Sequence, residues 1–532
     1  MSIKLEAVKI RAIRELLGAD MKNGQDLMMI KRKLAKKYHI EILSNSLILK
    51  SLDGSAPADQ FLRRLLRKRS IRTMSGIAPV AVLTKPYKCP GKCAYCPSEA
   101  DVPQSYLSNE PAVMRAIRCH YDPYAQVRDR LRALSANGHE PGKIELIVIG
   151  GTWSVLPEKY KYWYVANLFA AANEFGKSKI GRAKYKKNLK SEELKSVLKK
   201  EQEKNEKAKY KIIGITLETR PDYISEKELL EMRLLGCTRV ELGVQALSDK
   251  ILKLNRRGHG VETTVRATRL LKEFGFKVTY HIMPGLPGST PARDFAMFKE
   301  LWSDARFQPD QIKFYPTVVT KGSLLYRWWR QGKYKPYSDK ALRALIVKCK
   351  NITPPYVRII RLIRDIPGES IVAGNRVTNL RQVMQREGVK CGCIRCREAK
   401  GLPIGDCRLA TEEYKSSGGE EYFISYESKD KKILYGFCRL RLSSRNSKLA
   451  THNFLADSAL IRELHVYGEL VPVGGSKKIQ HAGLGKKLML EAEKIARANG
   501  FKKIAVIAGV GVRGYYRKLG YRLKDTYMVK EF

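Results

Sequence analysis

The sequence predicts an α/β protein of two units behind a basic helical N-terminal region. Three observations carry this prediction. Residues 71–345 alternate short apolar runs with helical stretches, the pattern setting in at about 75. Residues 413–532 show a second, separate order of hairpin, strand, helix and closing strands. Residues 1–70 place Lys and Arg between apolar positions at helix spacing, as in KRKLAKKYHIEI and FLRRLLRKRSIR.

In the first unit, IAPVAVLT, KIELIVIGG, YKIIGITLET, RVELGVQAL, FKVTYHIMPGLPG and QIKFYPTVV read as buried strands separated by helices. Such alternation implies a parallel sheet with helical crossovers, open or closed into a partial barrel. Ligands in these folds sit at the carboxyl ends of the strands. The Lys- and Glu-rich stretch 181–211 reads as an exposed helical insertion, and 346–412 as a linker with little periodicity. In the second unit EEYFISYES and KILYGFCRLRL form a hairpin, and IRELHVYGELVPV adds a strand. QHAGLGKKLMLEAEKIARANG is a helix; KKIAVIAG and YRLKDTYMVKEF complete the sheet.

The chain has 532 residues, with 101 Lys and Arg against 53 Asp and Glu, a net charge of +48. A surplus of this size points first to a nucleic-acid partner; a generally basic surface is the plainer alternative. No apolar run is long enough to span a bilayer. The opening MSIKLEAVKIRAIRELL is charged throughout and lacks the apolar core of a secretion signal. Eleven cysteines in such a chain argue against a disulfide framework. The expected setting is cytoplasmic, without a membrane.

The cysteines are grouped. KPYKCPGKCAYCPS places Cys89, Cys93 and Cys96 in a C-x3-C-x2-C array directly after a strand. A 4Fe–4S cube takes four ligands, so three thiolates leave one iron open to a substrate or cofactor. The alternative is a zinc knuckle completed by a histidine. With Tyr95 before the last cysteine, the array resembles the radical S-adenosylmethionine superfamily. Gly150 and Gly151 match the glycine-rich segment that contacts the methionine part in that superfamily. Glu218, Arg220 and Gln245 end the next two strands, where they could face one cavity; ordinary loop polars are the bland reading.

In the second unit, Gln480-His481-Ala482-Gly483-Leu484-Gly485 fits Q-x-x-G-x-G at a strand-to-helix junction. Glycines there let backbone N–H groups approach a pyrophosphate, and the helix N-terminus adds positive potential. Downstream, GVGVRGYYRKLGY carries Tyr515 and Tyr516 before an apolar strand. This order resembles the GNAT acetyltransferases. Tyr516 is the candidate to protonate a leaving thiolate, with Tyr515 beside it; a core tyrosine is the alternative.

The motifs SNEPAVMRAIRCHYDPYAQ, GGTWSVLPEKY, TLETRPDY, GCTRVELGVQ, NRRGHG, QIKFYPT, RDIPG, RELHVYG and QHAGLG follow in that order. The set resembles the family of Elongator catalytic subunits in their single-chain form, over nearly the whole chain and least over residues 1–70. The resemblance implies a radical S-adenosylmethionine partial (β/α) barrel joined to a GNAT-like α/β domain. It implies a 4Fe–4S cluster, S-adenosylmethionine, acetyl-CoA, and tRNA bound by its anticodon stem-loop. The implied reaction builds 5-carboxymethyluridine at the wobble position. It implies that Cys89, Cys93 and Cys96 hold the cluster. Acetyl-CoA positions fall on Glu463, Leu464, His465 and Val466, on Leu484, Gly485 and Lys486, on Tyr516, and on Lys143. From the residues alone Lys143 is an exposed lysine before a strand. A homodimer is left open.

CGCIRC places Cys391, Cys393 and Cys396 in a second group, with Cys407 near. It fits a structural zinc site whose fourth ligand is Cys407 or a histidine; a second redox cluster is the alternative. Two competing functions remain. One is a protein lysine acetyltransferase in which the radical domain is a scaffold. The other is a methylthiolase, but those carry extra cysteines ahead of the triplet, and none precedes Cys89.

Overall fold

A computed structural model describes all residues except 1, 53–56, 68–72, 74–75, 178–181, 401, 444–454, 456 and 469–482. The first unit is one seven-stranded sheet. It runs in the order β1 (Ala78–Leu83), β2 (Lys143–Ile149), β3 (Lys211–Thr219), β4 (Cys237–Gln245), β5 (Lys277–Ile282), β6 (Gln311–Phe314) and β8 (Arg358–Arg361). Every neighbouring pair is parallel. β1 and β8 are its two free edges. The result is a partial barrel, as the alternation predicts. The short strands β7 (Val319–Thr320) and β9 (Ile371–Ala373) form a separate antiparallel ribbon. All six strands read from the sequence are present. One side of these strands is buried in the core, whereas the other carries cavity-lining groups such as Glu145, Glu241 and His281.

The second unit is also seven-stranded, in the order β10 (Cys407–Ser416), β11 (Gly419–Ser428), β12 (Leu434–Ser443), β13 (Ser458–Val466), β14 (Lys503–Val506), β16 (Tyr527–Glu531) and β15 (Arg522–Lys524). Only β13 and β14 run parallel; the other pairs are antiparallel. The helix Leu484–Ala498 packs Leu488, Met489, Ala492 and Ala496 against this sheet. The parallel register ends at Ile461–Val506. β13 then continues to Val466 with β12 on its other side, so the two strands splay apart.

Two expectations need correction. The stretch taken as a linker supplies β8, the last strand of the barrel. It also supplies the start of β10, the first strand of the second sheet. The insertion is not simply exposed. Its helix, Ser191–Lys207, buries Leu194, Leu198, Glu201 and Asn205. Asn205 caps the neighbouring strand by accepting from the Ile212 N–H at 2.7 Å. Glu206 at its end is ion-paired to Arg513 and Arg517 of the second unit. The insertion is therefore a brace between the two sheets.

The N-terminal helices, Ser2–Leu17, Gly24–Lys37, Asn45–Lys50 and Pro57–Leu66, close on their own small core of Ala12, Leu16, Leu34, Ile48, Leu62 and Leu66. Lys31 is buried and donates to Asn45 Oδ1 at 2.8 Å, whereas Arg32, Lys33 and Lys36 are exposed. Among the described residues no helix is long and apolar enough to cross a membrane.

The two sheets meet through buried charge. Arg462 of β13 grips Asp310 through both guanidinium nitrogens and donates to Glu421 at 2.8 Å. Arg439 reaches Glu463, Arg441 reaches Glu421, and Lys272 of the barrel lies 3.6 Å from Glu421. Arg462, Asp310, Glu421 and Lys272 are 0–1% exposed. Charges so far from water persist only when paired.

Candidate active site

The cysteine loop follows β1. Its backbone is fixed from two sides: the Ala94 N–H donates to the Asn255 carbonyl at 3.0 Å, and the Leu325 N–H donates to the Ala94 carbonyl at 2.7 Å. Arg257 Nη1 donates to Cys93 Sγ at 3.3 Å. Hydrogen bonding with Cys96 and the Arg257 charge, acting against burial, draw the Cys93 thiol down to about 4. Its neighbour Cys96 is pushed up, first by that same shared hydrogen bond and then by burial. The pair thus carries a thiolate, the form that binds metal. Cys89 lies opposite, its sulfur 3.9 Å from Thr152 Oγ1.

The strand ends add polar groups with spare capacity. Glu218 accepts from the Tyr106 hydroxyl at 2.8 Å. Arg220 is clamped by Asp222 and the Arg257 carbonyl, yet its Nη1 is buried without a hydrogen-bond partner among the described residues. That nitrogen lies against Gly91, where a Cβ would stand 2.2 Å away. Gln245 takes a left-handed backbone (φ 72°), and its buried Oε1 also has no hydrogen-bond partner among the described residues. Gly150 has φ +132°, and a side chain there would meet Thr84 Oγ1 at 2.2 Å. Buried polar atoms are rarely left unsatisfied. These suit a polar, zwitterionic ligand beside a metal cluster, so the residues present fit the group that the cysteine spacing calls for.

A cavity of about 770 Å³ opens beside these groups. It runs through the barrel, past a charged lumen, to the second sheet. In the lumen His281 Nε2 is 2.9 Å from Glu241, which also holds the buried Lys313. Arg239 pairs with Glu145 at 3.0 Å. At the far end the cavity is bounded by Phe437, Glu463, His465 and Tyr467. The thiol loop and β13 therefore bound one continuous space.

β13 shows its two faces clearly. Glu463 and His465 face the cavity, whereas Leu464 and Val466 pack toward the core of the second unit. Burial works to raise the Glu463 carboxyl, but Lys277 at 3.4 Å and Arg439 at 3.0 Å outweigh it and bring it to about 2. Burial, Arg358, Lys277 and Lys143 together push His465 down to about 3 against the pull of Glu463. Lys143 begins β2 at this same end, and its own ammonium is weakened by burial.

Gly483 precedes the helix Leu484–Ala498 in a left-handed conformation (φ +74°), with no side-chain cap on that N-terminus among the described residues. Free N–H groups there suit a phosphate. Leu484 is buried, and Gly485 follows within the first turn with Lys486. The Tyr515 hydroxyl lies 2.7 Å from where a Cβ on Gly485 would stand. Tyr516 is buried in the core of the second unit, edge-on to Tyr515 at 5.3 Å. Gln480 lies outside the described residues. Cys391, Cys393 and Cys396 bring their sulfurs within 4.8 Å of one another. Cys407 opens β10 opposite Ser428, and its sulfur is not in that group.

Three regions match known families: residues 84–299 the radical SAM superfamily, 309–388 the radical SAM C-terminal domain, and 402–521 the GNAT acetyltransferases. The first brings a 4Fe–4S cluster and S-adenosylmethionine, the last acetyl-CoA. The chain is 43% identical to the tRNA uridine(34) acetyltransferase of Dehalococcoides mccartyi, over 87% of this chain and 99% of the relative. It is 40% identical to human Elongator complex protein 3, over 97% of this chain and 95% of the relative. The chain belongs to the Elongator complex protein 3 family. The solved structure of the archaeal Methanocaldococcus infernus Elp3, lacking N-terminal residues 1–46, superimposes with a TM-score of 0.72 at 39% identity. It covers 86% of this chain and 99% of that one.

Membership in the Elongator family makes the chain an acyltransferase with both domains in one polypeptide. Thr152 closes the glycine-rich segment Gly150-Gly151-Thr152 read from the sequence, whereas Arg257 and the His281–Glu241–Lys313 group were not singled out there. The available signal was charge inside otherwise apolar strands: RVELGVQ and KVTYHI carry Arg, Glu, Lys and His where the flanking residues are buried. Such charges must face a polar interior.

Proposed function

We propose that this chain is a tRNA-modifying acyltransferase that converts the wobble uridine to 5-carboxymethyluridine, with acetyl-CoA as donor. The observation that carries it is the single cavity bounded at one end by the cysteine loop and at the other by Glu463 and His465. The iron–sulfur cluster and S-adenosylmethionine, which Cys89, Cys93 and Cys96 and the strand-end polar groups would hold, would supply the carbon-radical chemistry needed to activate the acetyl methyl group toward uridine C5.

The chain's own residues prepare this. Cys89, Cys93 and Cys96 hold the cluster, the Arg257 charge favouring thiolate at Cys93. Gly150, Gly151, Glu218, Arg220 and Gln245 hold S-adenosylmethionine. Glu463 to Val466 supply the pantetheine edge where β13 parts from β14, and Gly483 to Lys486 receive the pyrophosphate. Lys143 keeps the acyl end at the base of the barrel. Tyr516 is the candidate beside the sulfur; burial pushes its hydroxyl up, so it stays protonated and would donate a hydrogen bond to the leaving thiolate rather than its proton. Residues 1–70 bind the tRNA backbone through exposed cations. The uridine leaves its stack to enter, which costs a few kcal/mol and less in a single-stranded loop. Cys391, Cys393 and Cys396 hold a structural zinc. The expected compartment is the cytoplasm.

The lysine acetyltransferase reading is disfavoured by Glu463. It is the carboxylate of the acetyl-CoA strand, yet two cations hold it charged and it faces the barrel. A carboxylate held that low accepts no proton from a lysine. The decisive experiment is mass spectrometry of tRNA nucleosides after anaerobic incubation with acetyl-CoA, S-adenosylmethionine and a reductant. Appearance of 5-carboxymethyluridine, dependent on all three, supports the function; its absence with acetylated lysine instead refutes it.

A further inference from the structure

We propose that the His465 imidazole N–H is the donor that holds the thioester carbonyl and stabilises the oxyanion formed when water cleaves it. This rests on the acetyl-CoA reading of β13. His465 lies on the part of that strand beyond the splay from β14, where Ile461 is the last residue paired to it. Its ring packs against two aromatics, parallel to Phe437 (centroids 6.1 Å, 8° between planes) and tilted against Tyr467 at 4.3 Å. It borders the cavity, and its Nε2 is buried without a hydrogen-bond partner among the described residues. A buried polar atom left so is destabilising, a cost that a carbonyl ligand removes.

The surrounding charges select the role. Lys143, Lys277 and Arg358 all act on the ring, with Glu463 as the opposing charge. They keep it neutral, so it is a poor base that retains an N–H donor. The same cations favour negative charge on an oxygen placed beside the ring. Preorganised donors and charges aimed at a developing oxyanion are usually the largest catalytic contribution in acyl transfer. A neutral imidazole serving as electrophile has precedent in enzymes that lower its basicity in just this way.

In the step, the water oxygen bonds the carbonyl carbon and the carbonyl π pair moves to oxygen, facing His465. Collapse re-forms the C=O bond and breaks the C–S bond. The electron pair leaves on sulfur, and the proton shed by water ends on that sulfur. Thioester and water become carboxylic acid and thiol, with no external oxidant or reductant.

The test uses the reconstituted holoenzyme with an anticodon stem-loop RNA, acetyl-CoA, S-adenosylmethionine and reductant. His465→Phe keeps the stacked ring and removes the donor; His465→Gln keeps an N–H donor. The expected result is a fall in CoA release of about a hundredfold for His465→Phe, recovered to within about tenfold of wild type in His465→Gln. Calorimetric affinity for CoA itself stays unchanged in both, 5′-deoxyadenosine still forms, and a CoA-linked uridine accumulates on the RNA. Wild-type rates of CoA release in His465→Phe overturn the proposal. So does equal loss in both variants, or loss of CoA binding, which would make the residue a packing element. His465→Leu replaces the Phe variant should the larger ring not be accommodated. Wild-type enzyme that forms no 5-carboxymethyluridine overturns the functional reading and this proposal with it, whereas a silent variant beside an active wild type overturns only the latter.

Discussion

Replacing Asp310 with Asn tests whether the buried ion network holds the two halves of the cavity in register. Asp310 precedes β6, accepts the Val278 N–H at 2.8 Å, and receives both guanidinium nitrogens of Arg462 from the other sheet. Both side chains are fully buried. The amide matches the carboxylate in shape, so packing is preserved. The charge balance is not. Lys272, Arg439, Arg441 and Arg462 face only Glu421 and Glu463 once Asp310 is neutral. Removing one partner of a buried pair costs about 3–5 kcal/mol. With a urea m-value of about 3 kcal/mol/M, the unfolding midpoint falls by about 1–1.7 M. Hydrogen exchange at β6 and β13 should speed up together, and RNA modification should fall more than CoA binding. A midpoint shift under about 0.3 M would show that the network is replaceable, and the reasoning fails. The network also predicts an acid limit. Glu421, buried but outweighed by Arg462 and Lys272, is lowered to about 2 from an ordinary value of 4.5. A depressed carboxyl stabilises the fold above its unfolded value and loses that contribution as pH falls through the folded one. The contact between sheets therefore weakens between about pH 4.5 and 2.

Three further outcomes are expected. Cys93→Ala abolishes S-adenosylmethionine cleavage, followed as 5′-deoxyadenosine, while CoA affinity measured by calorimetry survives; modified tRNA in that variant would exclude the radical route. Cys391→Ser lowers bound zinc by one equivalent in elemental analysis and lowers thermal stability, leaving the iron–sulfur absorbance of the reconstituted protein intact. Neutralising Arg32, Lys33 and Lys36 together weakens tRNA binding uniformly and flattens the slope of log affinity against log salt by about 2–3; an unchanged slope would remove that helix from the interface.

Much of this was legible in the sequence because two kinds of signal are local. Strands with one side in the core are rich in apolar residues, and runs such as KIELIVI and KIIGITLET announce themselves. Three cysteines within eight residues, or glycines at a strand-to-helix turn, state their chemistry by spacing. What was missed depends on partners far away in the chain. β8 is four residues, RIIR, whose arginines face a lumen that only the folded barrel creates. β10 is an edge strand with alternating exposed positions, and its Glu and Lys residues hide it from an apolar scan. The buried Glu201 and Asn205 of the insertion looked like solvated charge until Asn173, Tyr185 and Ile212 came to meet them. Lys143 carried no signal of its own; only its place beside His465 gives it one.

The gap between β1 and β8 has a topological consequence. A closed ring of strands admits only what can be lowered through its mouth, and a looped polymer whose termini lie far off can never be threaded into it. A wall with a seam is different in kind. A nucleotide can be slid in sideways while the strand continues unbroken on both flanks, and withdrawn the same way. Leaving one pair of strand edges unjoined gives up ladder hydrogen bonds, and Arg115, Arg381 and Arg395 take up edge carbonyls of Ala81, Ile359 and Ile360 where both edges line the cavity.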